Sequence, residues 1–224
     1  MDIFQKKLLN LKKDWVSKNV QGIALDIDET ICWTIGHLVG EMQKLFGNPE
    51  NLSVEDLIAK YRYTKHVPYW QTRAIRKWLD DYRESSESKE NLPLMNGAKE
   101  TVLTIHKIIP VVAYITARPE VVRDGTQKWL DKHGFPKAKI VLRPAHVDHD
   151  EGNKWKAQVL HELYPHVLGI IDDNPSLVDY LPKNYLGKIF VFGGGASASS
   201  SILNCITWEE VIEHVSNLKP PQSF

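Results

Sequence analysis

Two carboxylates, Asp26 and Asp28, stand one residue apart at the end of the apolar run Ile23-Ala24-Leu25. A short run of this kind reads as a buried parallel strand. Alternate side chains of a strand point to the same side, so both acids can face one site. In open α/β sheets the ligand crevice lies beyond the carboxyl ends of the strands. There, one carboxylate can attack a phosphorus atom while the other moves protons. Asp-x-Asp alone is weak evidence, because turns are rich in Asp. Three later segments strengthen it. Val111-Val112-Ala113-Tyr114-Ile115 is a second apolar run and ends in Thr116-Ala117-Arg118. Val167-Leu168-Gly169-Ile170-Ile171 is a third and ends in Asp172-Asp173. A lysine, Lys156 or Lys154, opens the helical segment before that third strand. Val159, Leu160 and Leu163 follow Lys156 at i+3, i+4 and i+7, so periodicity favours Lys156 over Lys154.

Acid, hydroxyl, lysine and acid pair thus fall in chain order at strand or helix ends. That order resembles the haloacid dehalogenase-like (HAD) phosphohydrolases over residues 20–192, with loose likeness to the 5′-nucleotidase and acid-phosphatase branches. The resemblance implies a Rossmann-like core with strand order 5-4-1-2-3. It implies Asp26 as a nucleophile that forms an aspartyl-phosphate, and Asp28 as general acid and then base. Repulsion between Asp26 and a phosphate dianion calls for a hard cation, and Mg²⁺ suits a few carboxylates plus water and substrate oxygens. Asp26, Asp172 and Asp173 are the expected ligands, Asp173 directly and Asp172 directly or through water. The resemblance adds the backbone carbonyl of Asp28. Thr116, with backbone N–H groups such as that of Ala117, is expected on a phosphate oxygen. The lysine would neutralise charge on the phosphoryl oxygens and on Asp26. Arg118 has two expected uses: an anion of the substrate, or an ion pair with Asp28 or Glu120. Trp33 either walls the leaving-group pocket or packs between core and insert. Cys32 reads as a small buried residue.

These residues need elements to hold them. The 224 residues suffice for one sizeable core with a smaller second unit. A charged share of 25% is ordinary for a globular chain, and zero formal net charge argues against wrapping nucleic acid or coating an acidic membrane. Cys32 and Cys205 make neither a disulfide framework nor a metal-spaced pair. Met1-Asp2-Ile3-Phe4-Gln5-Lys6-Lys7 lacks the apolar stretch of a secretory signal, so cytoplasmic residence is the expectation. Oligomeric state is open.

Phe4, Leu8, Leu11 and Trp15 predict an N-terminal helix. More than 80 residues separate the first two strands, whereas a βαβ unit needs about 30. An insert over 33–91 is therefore expected, helical throughout, resembling the cap of capped HAD enzymes. The remaining 1–32 and 92–224 form the core. Ser53 is the expected N-cap of one insert helix, residues 70–82 form another, and residues 84–91 read as a polar return linker. After the insert the chain alternates helix and strand, which predicts a doubly wound parallel sheet of five strands. Residues 193–201, glycine- and serine-rich, read as a flexible loop without a dinucleotide-binding spacing.

Two stretches are ambiguous. His146-Val147-Asp148-His149-Asp150 has metal-ligand composition but no zinc spacing, and a solvated loop is favoured. Residues 60–77 carry six Lys/Arg with several aromatics and no acid. They could stack a base and hold an anion, although aromatics in the insert core with basic edges is the simpler account. The expected activity is Mg²⁺-dependent hydrolysis of a small phosphomonoester, a nucleotide or a sugar or metabolite phosphate. A phosphomutase could use the same residues, and a nucleic-acid end-processing phosphatase is the alternative of a different class. A dehalogenase would not need Asp28 or the acid pair.

Overall fold

The computed structural model describes residues 3–218; Met1, Asp2 and residues 219–224, and with them the ends of the expected core, lie outside the described residues. The chain runs α1 (Ile3–Ser17), β1 (Gly22–Leu25), α2 (Thr34–Phe46), α3 (Val54–Tyr61), α4 (Arg73–Glu84), α5 (Glu87–Glu90), α6 (Ala98–Ile108) and β2 (Val111–Pro119). It continues α7 (Arg123–His133), β3 (Lys139–Arg143), α8 (Gly152–Leu163), β4 (Val167–Asp172), β5 (Lys188–Phe192), β6 (Ile202–Cys205) and α9 (Trp208–Ser216). All strands are parallel, in the order β3-β2-β1-β4-β5-β6. The expected five-strand order stands, with β6 added outside β5. Sequence reading missed β6 because Ile-Leu-Asn-Cys is four residues long and three of them are only half-buried, as befits an edge.

Burial explains the strands. Every residue of β1 and of β4 is buried, which is why both read as unbroken apolar runs rather than alternating ones. One face of the sheet packs on Val102, Ile105, Trp129, Trp208 and Val211 of α6, α7 and α9. The other packs on Leu8, Trp15, Trp155, Val159 and Leu160 of α1 and α8. Gly134, at φ 73°, ends α7 in the left-handed conformation that glycine tolerates best. No helix among the described residues is long and apolar enough to cross a membrane.

Between β1 and β2 the regular elements are helical. Leu38, Met42, Leu57, Trp70, Ile75 and Leu79 form an apolar cluster of their own. Ser53 caps α3 by accepting from the Asp56 N–H at 3.0 Å. The helix expected over 70–82 starts later, at Arg73, because Thr72 is its N-cap and Pro68–Trp70 form a separate 3₁₀ turn. The expected return linker is instead ordered structure containing α5. Its backbone touches α7 at Gly125, where a Cβ would lie 1.8 Å from the Ser86 carbonyl oxygen. The Gly125 N–H donates to Ser86 Oγ at 2.7 Å, Lys128 pairs with Glu90 at 2.8 Å, and Trp129 Nε1 donates to the Leu92 carbonyl at 2.7 Å. Composition alone hid this order, since the contacts that fasten the segment to α7 are to distant residues.

Candidate active site

Strand β1 ends at Leu25, and Asp26 continues its ladder by donating its N–H to the Ile171 carbonyl at 2.9 Å. The pairing of β1 with β4 sets Leu25 beside Ile171, so Asp26 meets Asp172. One carboxylate oxygen from each of Asp26, Asp172 and Asp173 can lie within 4.8 Å of the others. Lys156, from the second turn of α8, enters this group fully buried. Its Nζ donates to Asp172 Oδ2 at 2.6 Å and lies 3.1 Å from Asp26 Oδ1. The Asp26 contact has ion-pair distance without hydrogen-bond geometry, so that buried oxygen accepts no hydrogen bond. Lys154 is exposed and pairs with Glu151 at 3.0 Å. Of the two lysines, Lys156, the residue that tops the apolar face of α8, is the one that meets these acids.

The charges are unbalanced. Burial pushes the Asp26 carboxyl well above the usual range; Lys156 pulls it down, while Asp172, Asp173 and Asp28 push it up again. Asp173 is raised to about 7, first by burial and then by Asp172. Lys156 is raised despite its burial, because Asp172 and Asp26 surround it. Three carboxylates against one ammonium leave a negative excess in a buried space. The acid-only donor set, the close spacing and the orphaned Asp26 oxygen all fit a hard divalent cation. The two acids of the pair differ. Asp172 is occupied on both oxygens, by Lys156 and by the Asn174 N–H at 2.9 Å. Asp173 is steadied by Thr30, whose hydroxyl donates to Asp173 Oδ1 at 3.3 Å and accepts from the Asp173 N–H at 3.1 Å. Thr30 was not singled out from sequence, although it lies two residues past Asp28.

Asp28 has opposite surroundings. Arg118 Nε reaches both of its oxygens, at 3.1 and 3.0 Å, and the Arg118 Nη2 donates to Oδ1 at 2.7 Å. The Thr34 hydroxyl also donates to Oδ1. Burial alone would raise this carboxyl, but the charge and hydrogen bonds of Arg118, with Thr34, hold it below the ordinary range. Asp28 is thus held as a carboxylate, which accepts a proton; to donate one it must first take a proton against the Arg118 clamp. Of the two uses expected for Arg118, the ion pair with Asp28 is the one seen. Glu120 pairs with Arg123 instead, at 2.8 Å.

Thr116 is fully buried within β2, which runs on past it to Pro119, and its hydroxyl accepts from the Arg118 N–H at 3.3 Å. It keeps its own proton to donate. The Ala117 carbonyl is taken by Arg143 Nε at 3.0 Å. Trp33 lies against α2: a Cβ on Gly36 would sit 2.0 Å from its ring, which favours the packing role. Cys32 is buried, and its thiol is pushed up to about 12, chiefly by burial, so it stays protonated. Glu29 was missed as an individual residue. It sits at φ 58°, strained for a side-chain-bearing residue, and accepts from the Ile35 N–H at 2.6 Å, tying the Asp28 loop to the first turn of α2. Burial raises its carboxyl to about 7.

The two ambiguous stretches take their simpler accounts. His149 is largely exposed, 3.7 Å from Asp150, and the only described group of at least three potential metal ligands is the Asp26 cluster. In residues 60–77 Trp70 is buried and Tyr61 and Tyr69 pack on the insert cluster, while Lys60 pairs with Glu50 and Lys77 with Asp81.

The family model described as "PITM 1-3, LNS2 domain" matches residues 83–172, less than half of the chain. The match takes in Thr116, Arg118, Lys156 and Asp172 but stops short of Asp26, Asp28 and Asp173. A curated protein of Oceanobacillus iheyensis, provisionally named a nucleotidase, is 25% identical over 189 residues, covering 84% of this chain and 96% of that protein. Among solved structures, a HAD family hydrolase from Deinococcus radiodurans R1 with bound phosphate and sodium is 10% identical. It covers 90% of this chain and 99% of its own, with a TM-score of 0.49. A phosphoserine phosphatase from T. onnurineus is 14% identical, covering 89% and 96% of the two chains, with a TM-score of 0.46.

Proposed function

We infer that this chain is a haloacid dehalogenase-like phosphohydrolase, a phosphoric monoester hydrolase acting on a small phosphomonoester. The reading is supported by the four motifs, the strand order and the nucleotidase-named relative that matches along nearly its whole length. The observation that carries it is the meeting of Asp26, Asp172, Asp173 and Lys156 at the carboxyl ends of the two central strands.

Asp26 would attack the phosphoryl group and carry it as an aspartyl-phosphate. Mg²⁺, held by Asp26, Asp173 and the Asp28 carbonyl with Asp172 directly or through water, would offset the charge between nucleophile and phosphate. Lys156 would hold Asp172 in place and lend positive charge to the phosphoryl oxygens. Thr116 Oγ1 would donate to one of those oxygens, with the Ala117 N–H nearby. Asp28, ionised in the Arg118 clamp, is ready to take a proton from the water that cleaves the aspartyl-phosphate. In the first half-reaction it would pass to the leaving alcohol a proton first taken up from water or from a phosphate monoanion. The helical insert would act as a cap that limits access to small substrates.

The test is phosphate release with Mg²⁺ from nucleoside monophosphates, sugar phosphates and a 3′-phosphorylated oligonucleotide, with EDTA and Asp26→Asn as controls. Release from small substrates, lost in both controls, is expected. Selective release from the oligonucleotide would move the assignment to end-processing. No release from any substrate by folded protein would reject the hydrolase reading.

A further inference from the structure

Among the groups whose charge acts on Asp28 is a cation with no assigned task. Lys89, from α5, is only 5% exposed. Its ammonium donates to the Tyr82 carbonyl at 3.1 Å and to the Ser88 hydroxyl at 2.9 Å, both neutral oxygens. It lies 4.8 Å from the centre of the Tyr82 ring. Among the described residues no carboxylate lies within the 4.0 Å of an ion pair with it. Buried ammonium groups are normally paired, because leaving water without a counter-ion is costly. The charges that act on it most strongly are those of the Asp28–Arg118 pair. Burial pushes Lys89 down to about 8, Asp28 draws it back up and Arg118 pushes it further down. The Lys89 charge in turn helps to hold Asp28 down, after Arg118 and Thr34. Tyr82 belongs to the same corner. Its hydroxyl is buried without a hydrogen-bond partner; burial raises it most, Glu41, Cys32 and Asp28 raise it further, and Arg118 pulls it down.

Counting charges, Asp28 is matched by Arg118, Glu41 by Lys44 and Arg83 by Asp80, and Lys89 remains, an excess of one positive charge. The segment around Lys89 is fastened to α7 through Ser86, Glu90 and Leu92, while Tyr82 of α4 holds the ammonium itself. We propose that Lys89, with the Tyr82 ring beside it, binds an anionic group, a carboxylate or a second phosphate, on the alcohol part of the phosphomonoester. This rests on the hydrolase reading and narrows its substrate class. A nucleoside monophosphate brings only a neutral sugar and base to this corner and leaves the cation unmatched. A phosphorylated hydroxy acid or a bisphosphate matches it.

The test compares pairs alike in skeleton: 3-phosphoglycerate against glycerol 3-phosphate, and a nucleoside 3′,5′-bisphosphate against its 5′-monophosphate. The first pair reads a carboxylate and the second a phosphate. In the wild type, at least one anionic member is expected to win by about tenfold or more in kcat/KM, mostly through KM. Lys89→Met should bring that ratio close to one, and Lys89→Arg should restore part of it. Circular dichroism checks that both variants fold. Equal use of the members in both pairs by the wild type, or a preference that survives Lys89→Met, overturns the proposal while the hydrolase reading stands. Absence of release from every substrate would reject the hydrolase reading. Calorimetry with 3-phosphonopropionate against propylphosphonate then decides on Lys89 alone. Tighter binding of the carboxylate, lost in Lys89→Met, supports it; equal or absent binding overturns it.

Discussion

Asp26 and Asp28 leave the same strand two residues apart, yet their carboxyls are driven in opposite directions. Around Asp26 the sheet gathers two more acids and a single lysine, and its acidity is suppressed. Around Asp28 the β2 end brings Arg118 and the insert brings Thr34, and its acidity is enhanced. The first environment is short of positive charge and suits a cation and a phosphate. The second has positive charge to spare and suits the other end of the ester. One strand end can thus serve both sides of a scissile bond, because a two-residue step moves from one neighbouring strand's charges to the other's.

Several experiments would break or sharpen that contrast. Asp26→Asn should have the largest effect, a loss of phosphate release of about 10⁴-fold or more in folded protein, measured by steady-state turnover. Lys156→Met would strand Asp26, Asp172 and Asp173 together. It should cost about 3–5 kcal/mol in urea unfolding as well as most activity. Lys154→Met, at an exposed pair, should stay within about 0.5 kcal/mol and is the control.

Arg118→Met attacks the other side. Because the Asp28 side chain is 31% exposed, the loss should be about 1–3 kcal/mol rather than that of a fully buried pair. Its pH dependence is diagnostic. Asp28 is lowered in the folded state, so the pair's contribution is present above the ordinary carboxylate value and fades as pH falls through the lowered one. Wild type and variant should therefore converge in acid; a gap that persists there would contradict the assignment.

The smallest effect is on the acid-rich side. Asp173 is raised to about 7 in the folded protein, so between about pH 4 and that value the folded state binds more protons than the unfolded one. Without divalent cations, stability should fall as pH rises through this window, and Mg²⁺ should restore it at the upper end. Asp173→Asn should flatten part of the slope, with Asp26 and Glu29 supplying the rest. Thermal midpoints across pH, with and without Mg²⁺, would test this.

The core was legible because its buried strands announce themselves: β1, β2 and β4 are apolar runs closed by polar residues. Helix phase was enough to rank Lys156 above Lys154. What escaped depended on distant contacts. Local pattern could not tell that Arg118 would turn to Asp28 rather than Glu120, since that choice is made across 90 residues of chain. Lys89 was hidden in a polar run that looks solvated until Tyr82 and α7 close around it. Strand β6 was hidden by its brevity and its half-exposed edge position.

The contact between Gly125 and Ser86 sets a boundary for anyone redesigning this molecule. Residues 34–81 lie before it and share an apolar cluster, so grafted versions of that stretch that keep Tyr82, whose carbonyl holds the Lys89 ammonium, should leave the orientation of Lys89 untouched. Gly125 itself is not exchangeable: a methyl group there would meet the Ser86 carbonyl. The resulting shift would be felt at the site through residues that no graft had altered.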